Sequence, residues 1–173
     1  MAHKEQVEFC SSVKERFPEK FKNVTVCDIG SLDINGNNRY LFEDYKYVGV
    51  DICPGRNVDV LQRGHRFNPG VQFDVVITAE CLEHDEYWFE TLIHIVHKLL
   101  KPGGLFILTC ATDGRHEHGT RNTSPADSPA TTDYYMNINE SHVREAIDMR
   151  EFSEYEFSVN HNTHDLYFYG IKK

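Results

Sequence analysis

No apolar run in this sequence approaches the ~20 residues that a membrane-spanning helix needs, so no membrane role is expected. Its opening stretch, MAHKEQVEFCSSVKERF, mixes charges with apolar residues and lacks the apolar core of a signal peptide. CxxC pairs are absent as well. The five cysteines (Cys10, Cys27, Cys53, Cys81 and Cys110) are odd in number and widely spaced, which argues against a disulfide scaffold or zinc ribbon and for a reducing, cytoplasmic compartment. Positive charge is scarce: 18 Lys and Arg face 27 Asp and Glu, and the net of −9 opposes broad electrostatic capture of nucleic acid. Repeats and low-complexity tracts are lacking, and 173 residues leave room for one domain, read as spanning 1–173. What is there, 40% hydrophobic and 26% charged residues, is the make-up of an ordinary globule.

Val7, Cys10, Val13 and Phe17 fall at helical spacing ahead of Pro18, which predicts a helix over 4–17. Four short runs rich in Val, Ile and aromatics follow, at 24–29, 45–52, 73–78 and 105–110, with a shorter one at 58–61. None alternates as a half-solvated strand does, so they read as parallel strands covered on both faces by helices. An apolar face of Trp88, Leu92, Ile95, Val96, Leu99 and Leu100 predicts a helix over 85–100, stopped by Lys101-Pro102-Gly103-Gly104. Residues 139–150 look helical, and the strands at 154–159 and 166–171 form a hairpin-like pair at one sheet edge. The sum is an α/β doubly wound fold. Residues 111–138 carry Gly, Pro, Ser, Thr and Asn without periodicity, and they follow a strand's C-terminal end, where such sheets bind ligands. They read as a lid.

The first strand ends in Asp28-Ile29-Gly30-Ser31 and the second in Asp51, 21 residues after Gly30. A glycine past a strand lets backbone approach a ligand, and an acidic residue at that distance accepts hydrogen bonds from a ribose diol. A dinucleotide site would want G-x-G-x-x-G. Here Gly30 and Gly36 enclose bulky Leu32 and Ile34, and Asp28 would repel a pyrophosphate while suiting a ligand with ammonium and sulfonium groups. The stretches VCDIGSLDING (26–36), YVGVDI (47–52), FDVVITAECLEH (73–84) and LLKPGGLFILT (99–109) resemble, in order and spacing, the class I S-adenosylmethionine-dependent methyltransferases. The resemblance implies a Rossmann-like seven-stranded sheet, mostly parallel with its last strand antiparallel. It also implies S-adenosylmethionine bound by Asp28, Gly30, Ser31 and Gly36 at its methionine part. Asp51 would take the ribose and Ile52 the adenine, with Thr78 and Ala79 near the sulfonium. The adenine amino partner after the third strand stays unassigned among residues 61–65.

Glu80-Cys81-Leu82-Glu83-His84 admits two readings: capping of the following helix, or a catalytic cluster with Glu80 and His84 as candidate catalytic residues. It is similar to the E-x-x-E-H pattern with which small-RNA 2′-O-methyltransferases and ubiquinone-pathway O-methyltransferases hold a divalent cation. That likeness implies Mg²⁺, Mn²⁺ or Zn²⁺ on Glu80, Glu83 and His84, with His116 or, preferred, His118 as a further ligand. The expected reaction is methyl transfer to an oxygen of a small molecule or of a sugar or RNA end. An Asp/Asn-Pro-Pro-Tyr/Phe stretch is absent, which disfavours amino-group base methylation. The alternative is a cofactor-holding or inactive partner module. A hydrolase would need a nucleophile elbow or an HExxH motif, and has neither. Oligomeric state is not legible.

Overall fold

The structure, a computed structural model, describes residues 4–131 and 133–173. The first three residues of the stretch read for a leader, and Thr132 within the expected lid, lie outside the described residues. Helix α1 (Lys4–Arg16) comes first and buries Gln6, Cys10 and Val13, so a polar residue takes the place expected of Val7. Strands β1 (Thr25–Ile29), β2 (Lys46–Asp51), β3 (Val60–Leu61) and β4 (Phe73–Ala79) follow. The covering helices expected here are not formed between β1 and β2 or between β2 and β3: those connections hold only loops and one short 3₁₀ turn, Arg39–Leu41. Their Gly, Pro, Asn and Asp content favours turns over helix.

Helix α2 (Trp88–His94) runs into a π-helical turn, Ile95–Leu99, and the pair buries Leu92, Ile95, Val96 and Leu99. Residues 85–87, expected to be helical, form a turn instead, because the Asp85 carboxylate accepts from the Tyr87 N–H (2.9 Å) and the Thr91 hydroxyl (2.6 Å). Strand β5 (Leu100–Ala111) starts earlier than expected and takes in the Lys101-Pro102-Gly103-Gly104 stretch as an irregularity against β4. Gly103 has φ +73°, the left-handed region that glycine enters freely. Helix α3 (Glu140–Ala146) is shorter than the expected 139–150 and opens on a capping box, with the Asn139 side chain on the His142 N–H (3.2 Å). Strands β6 (Phe152–Asn160) and β7 (Asp165–Lys172) complete the chain.

All seven strands form one sheet in the order β3-β2-β1-β4-β5-β7-β6. The first five are parallel, and β7 is antiparallel to both β5 and β6. The terminal pair thus extends one side of the sheet, with the last strand inserted inside β6. Strand side chains alternate between two cores. Cys27, Val76, Phe106 and Phe168 pack on one face with α2 and α3, and Val26, Val75, Ile107 and Tyr169 pack on the other with α1. The chain order reverses between β1 and β4, so the crevice at their C-terminal ends is where this architecture binds ligands. No helix among the described residues is long and apolar enough to cross a membrane.

Candidate active site

Asp28 stands at that crevice, 2% exposed, with the Tyr47 hydroxyl donating to its Oδ2 at 2.7 Å and Asn57 Nδ2 at 3.4 Å. Burial dominates these hydrogen bonds and pushes its pKa up to about 6. Gly30 follows with φ +80°, and any Cβ there would overlap the Cys81 side chain. The β1 and β4 loops therefore meet through a glycine. Ser31 is 3% exposed, and its Oγ has no hydrogen-bond partner among the described residues.

The bulky loop from Leu32 to Gly36 is held from within. Asp33 accepts from Asn37 Nδ2 (2.9 Å) and the Gly36 N–H (2.8 Å) and pairs with Arg56 (2.9 Å); the Asn37 bond first, then the other two, hold its carboxyl below the usual range. Leu32 lies against Gly55. Asp51 accepts from the Leu32 N–H (3.0 Å) and the Cys53 N–H (2.9 Å), one bond to each oxygen, so its carboxylate is oriented while lone pairs remain for a diol.

One cleft of about 1060 Å³, partly open to solvent, is lined by Asp28, Gly30, Ser31, Gly36, Asp51, Ile52, Ala79, Glu80 and His84. Thr78 is fully buried and is not part of the lining. Glu80 adopts φ +53°, a left-handed conformation costing a non-glycine residue roughly 1–2 kcal/mol, while its N–H bonds Thr109 O at 2.8 Å.

Beyond Glu80, a 3₁₀ turn (Leu82–His84) buries Glu83 completely, and neither carboxylate oxygen has a hydrogen-bond partner among the described residues. Burial, then the neighbouring Glu80, pushes its pKa up to about 8. His84 is pushed down to about 3, by burial and then by His118, and its Nδ1 is also unpartnered. The His84 and His118 rings meet edge-on at 4.9 Å, with Tyr135 at 5.5 Å from His84 and 5.0 Å from His118. Ligand atoms of Glu83, His84 and His118 lie within 4.8 Å of one another; Glu80 is not in that group, nor is His116. Glu80 precedes the turn and lines the cleft instead.

A family profile described as a methyltransferase domain matches residues 1–145. The chain belongs to that family. Among solved structures, this methyltransferase is similar to a Burkholderia thailandensis 1,6-didemethyltoxoflavin N1-methyltransferase (TM-score 0.65, 15% identity, 96% of this chain and 77% of that one). It is similar also to the Bradyrhizobium japonicum N-methyltransferase NodS bound to S-adenosylhomocysteine (0.66, 12%, 98% and 88%). A Haloferax volcanii methyltransferase in complex with the Trm112 activator matches at 0.59, with 13% identity over 94% and 93% of the two chains. At these identities the likeness is one of fold. No curated protein sequence matches.

The methyltransferase cleft also includes residues that carried no signal in the sequence. Gln6 of α1 reaches it and donates to Asn38 Oδ1 at 3.1 Å. Apolar periodicity passes over both residues. Gln62, Arg63 and Gly64 form the far end, where the adenine partner was unassigned. The 111–138 segment contributes Asp127–Thr131 to the lining of the cleft. It is tied down by the Met136 N–H on Glu83 O (2.9 Å) and the Ile138 N–H on Ala111 O (2.9 Å). Gly119 abuts the His84 ring, so a side chain there would displace the imidazole. A second cavity of about 630 Å³, lined by Arg63, His84, Glu86 and Tyr134 among others, adjoins the first at His84.

Proposed function

We propose that this methyltransferase uses S-adenosylmethionine and methylates a small molecule seated in the second cavity. The observation that carries the reading is the convergence of Asp28, Gly30, Asp51 and Ala79 on one lidded cleft at the β1–β4 reversal. Displacement at a sulfonium needs mainly alignment and exclusion of water, and the lid supplies both. Asp51 takes the ribose hydroxyls, and Asp28 with the Ser31 hydroxyl takes the ammonium end. His84, neutral and with its Nδ1 unpartnered where the two cavities meet, accepts the hydrogen bond of an acceptor hydroxyl, and Glu80 orients it. A polyanionic RNA end fits this acid-lined, covered cleft poorly, which favours a small acceptor.

Calorimetric titration with S-adenosylhomocysteine tests the reading. Saturable micromolar binding, weakened at least tenfold in Asp51→Ala, is expected on the ~1.5–3 kcal/mol cost of lost charge-assisted hydrogen bonds. No binding by a folded protein would turn attention to a partner-subunit role.

The chemistry of Glu83, His84 and His118 also fits a divalent cation, which would polarise the acceptor hydroxyl when bound. One carboxylate and two imidazoles suit Zn²⁺ or Mn²⁺ better than Mg²⁺. Ligand atoms up to 4.8 Å apart must draw in towards the roughly 3 Å spacing around such an ion. Titrating metal-free protein with Mn²⁺ should give one site, lost in His118→Ala. Equal heats from both proteins would eliminate it.

A further inference from the structure

The cleft is lined by more negative charge than its walls neutralise. Arg63 is the one Lys or Arg in its lining, and that guanidinium is already paired with Glu86 at 3.0 Å. Asp28, Asp51, Asp85 and Asp127 line it without an ion pair among the described residues. Three of the four have local duties: Asp28 takes the Tyr47 hydroxyl, Asp51 two backbone N–H groups, and Asp85 the turn into α2. Asp127 has none. It ends the short turn Pro125–Asp127 within the lid, and its half-buried carboxylate has neither a hydrogen bond nor an ion pair among the described residues. A Cβ on Gly119 would meet both the His84 ring and the side chain of Ser128, so Asp127, one residue before Ser128, lies towards the His84 end of the cleft. Two further residues point to a ligand in the same cleft: Ser31, at the ammonium end, and His84 line it on side chains only 3% and 7% exposed, and Ser31 Oγ and His84 Nδ1 have no hydrogen-bond partner among the described residues.

We propose that Asp127 is a specificity-determining residue: from the lid it reads positive charge at the reacting centre, favouring the sulfonium cofactor over its uncharged thioether product. The proposal rests on the cofactor reading above and deepens it. On transfer the S–CH₃ bond breaks with its electron pair left on sulfur. The acceptor's lone pair bonds the methyl carbon, and the acceptor's proton passes to the His84 imidazole and from there to bulk solvent. The positive charge that faced Asp127 is then gone, and the lid loses its hold on the product.

The test is calorimetry on the full chain at low ionic strength with three ligands: S-adenosylmethionine, S-adenosylhomocysteine, and sinefungin, which carries an amine-bearing carbon in place of the methylsulfonium. The wild-type protein should bind the two cationic ligands on the order of tenfold more tightly than S-adenosylhomocysteine. Asp127→Asn should bring the ratio towards one while leaving S-adenosylhomocysteine affinity unchanged, and Asp127→Glu should restore the preference. A variant that weakens all three ligands alike, or leaves the ratio intact, overturns the assignment and leaves the cofactor reading standing. Wild-type protein that fails to bind S-adenosylhomocysteine overturns both.

Discussion

Asp28 is held where its charge is costly. Its pKa rises from 3.8 to about 6, chiefly through burial, so the folded state holds its proton more tightly than the unfolded chain does. The stability this contributes is complete below pH 3.8 and is lost as pH rises through 6. At pH 7 the ionised carboxylate costs about 3 kcal/mol, an order-of-magnitude figure, in the absence of ligand. Cofactor-free Asp28→Asn should therefore gain stability over wild type as pH rises from about 4 to about 6 and level off above that, as read by urea denaturation at each pH, while losing affinity for S-adenosylhomocysteine. A stability difference that stays flat with pH would refute the burial argument. Asp28 and Asp51 were legible as residues of the crevice, whose lining includes both, because acids at the ends of β1 and β2 must fall at the C-terminal edge of a parallel sheet. Gln6, Asn38 and Asp127 were not, since nothing local distinguishes them from ordinary polar residues.

At the scale of elements, the loop from Gly30 to Gly36 shows how a glycine-poor sequence can still frame the cleft. Asp33 supplies from its side chain the hydrogen bonds that fix the turn, and Arg56 anchors it to the β2–β3 connection. Asp33→Ala should lower S-adenosylhomocysteine affinity about tenfold and cost only about 1–2 kcal/mol of stability, the loss of its two turn-fixing hydrogen bonds and of its pairing with the exposed Arg56. A large fall in Tm with unchanged affinity would show the loop to be a structural strut instead. The strands were predicted closely, because β-rich apolar runs between turn signals have few alternatives. Helix ends were missed where a side chain captured the backbone, as Asp85 does, or where a π-helical turn replaced the regular period at Ile95–Leu99.

At the scale of the molecule, α1 couples the far face of the sheet to the cleft. Phe9 stacks on Tyr167 of β7 with ring centroids 4.7 Å apart, Phe17 meets Tyr169 at 5.4 Å, and the same helix carries Gln6 to the cleft. Phe9→Ala should cost about 2–4 kcal/mol on thermal melting. It should also weaken S-adenosylhomocysteine binding, although Phe9 is not among the cleft-lining residues; unaltered affinity in the folded variant would uncouple helix from site. By itself the sequence determined the strand and helix alternation, the parallel sheet with its antiparallel ending, and the strand-end acids, because hydrophobic period and turn chemistry act over neighbouring residues. Only the tertiary structure decided which loops carry no helix, that Glu83 and His84 meet His118 while Glu80 turns to the cleft, and that Gln6 and the lid's Asp127 complete the lining. Those outcomes depend on contacts between segments far apart in the chain, where burial and close packing outweigh any local preference.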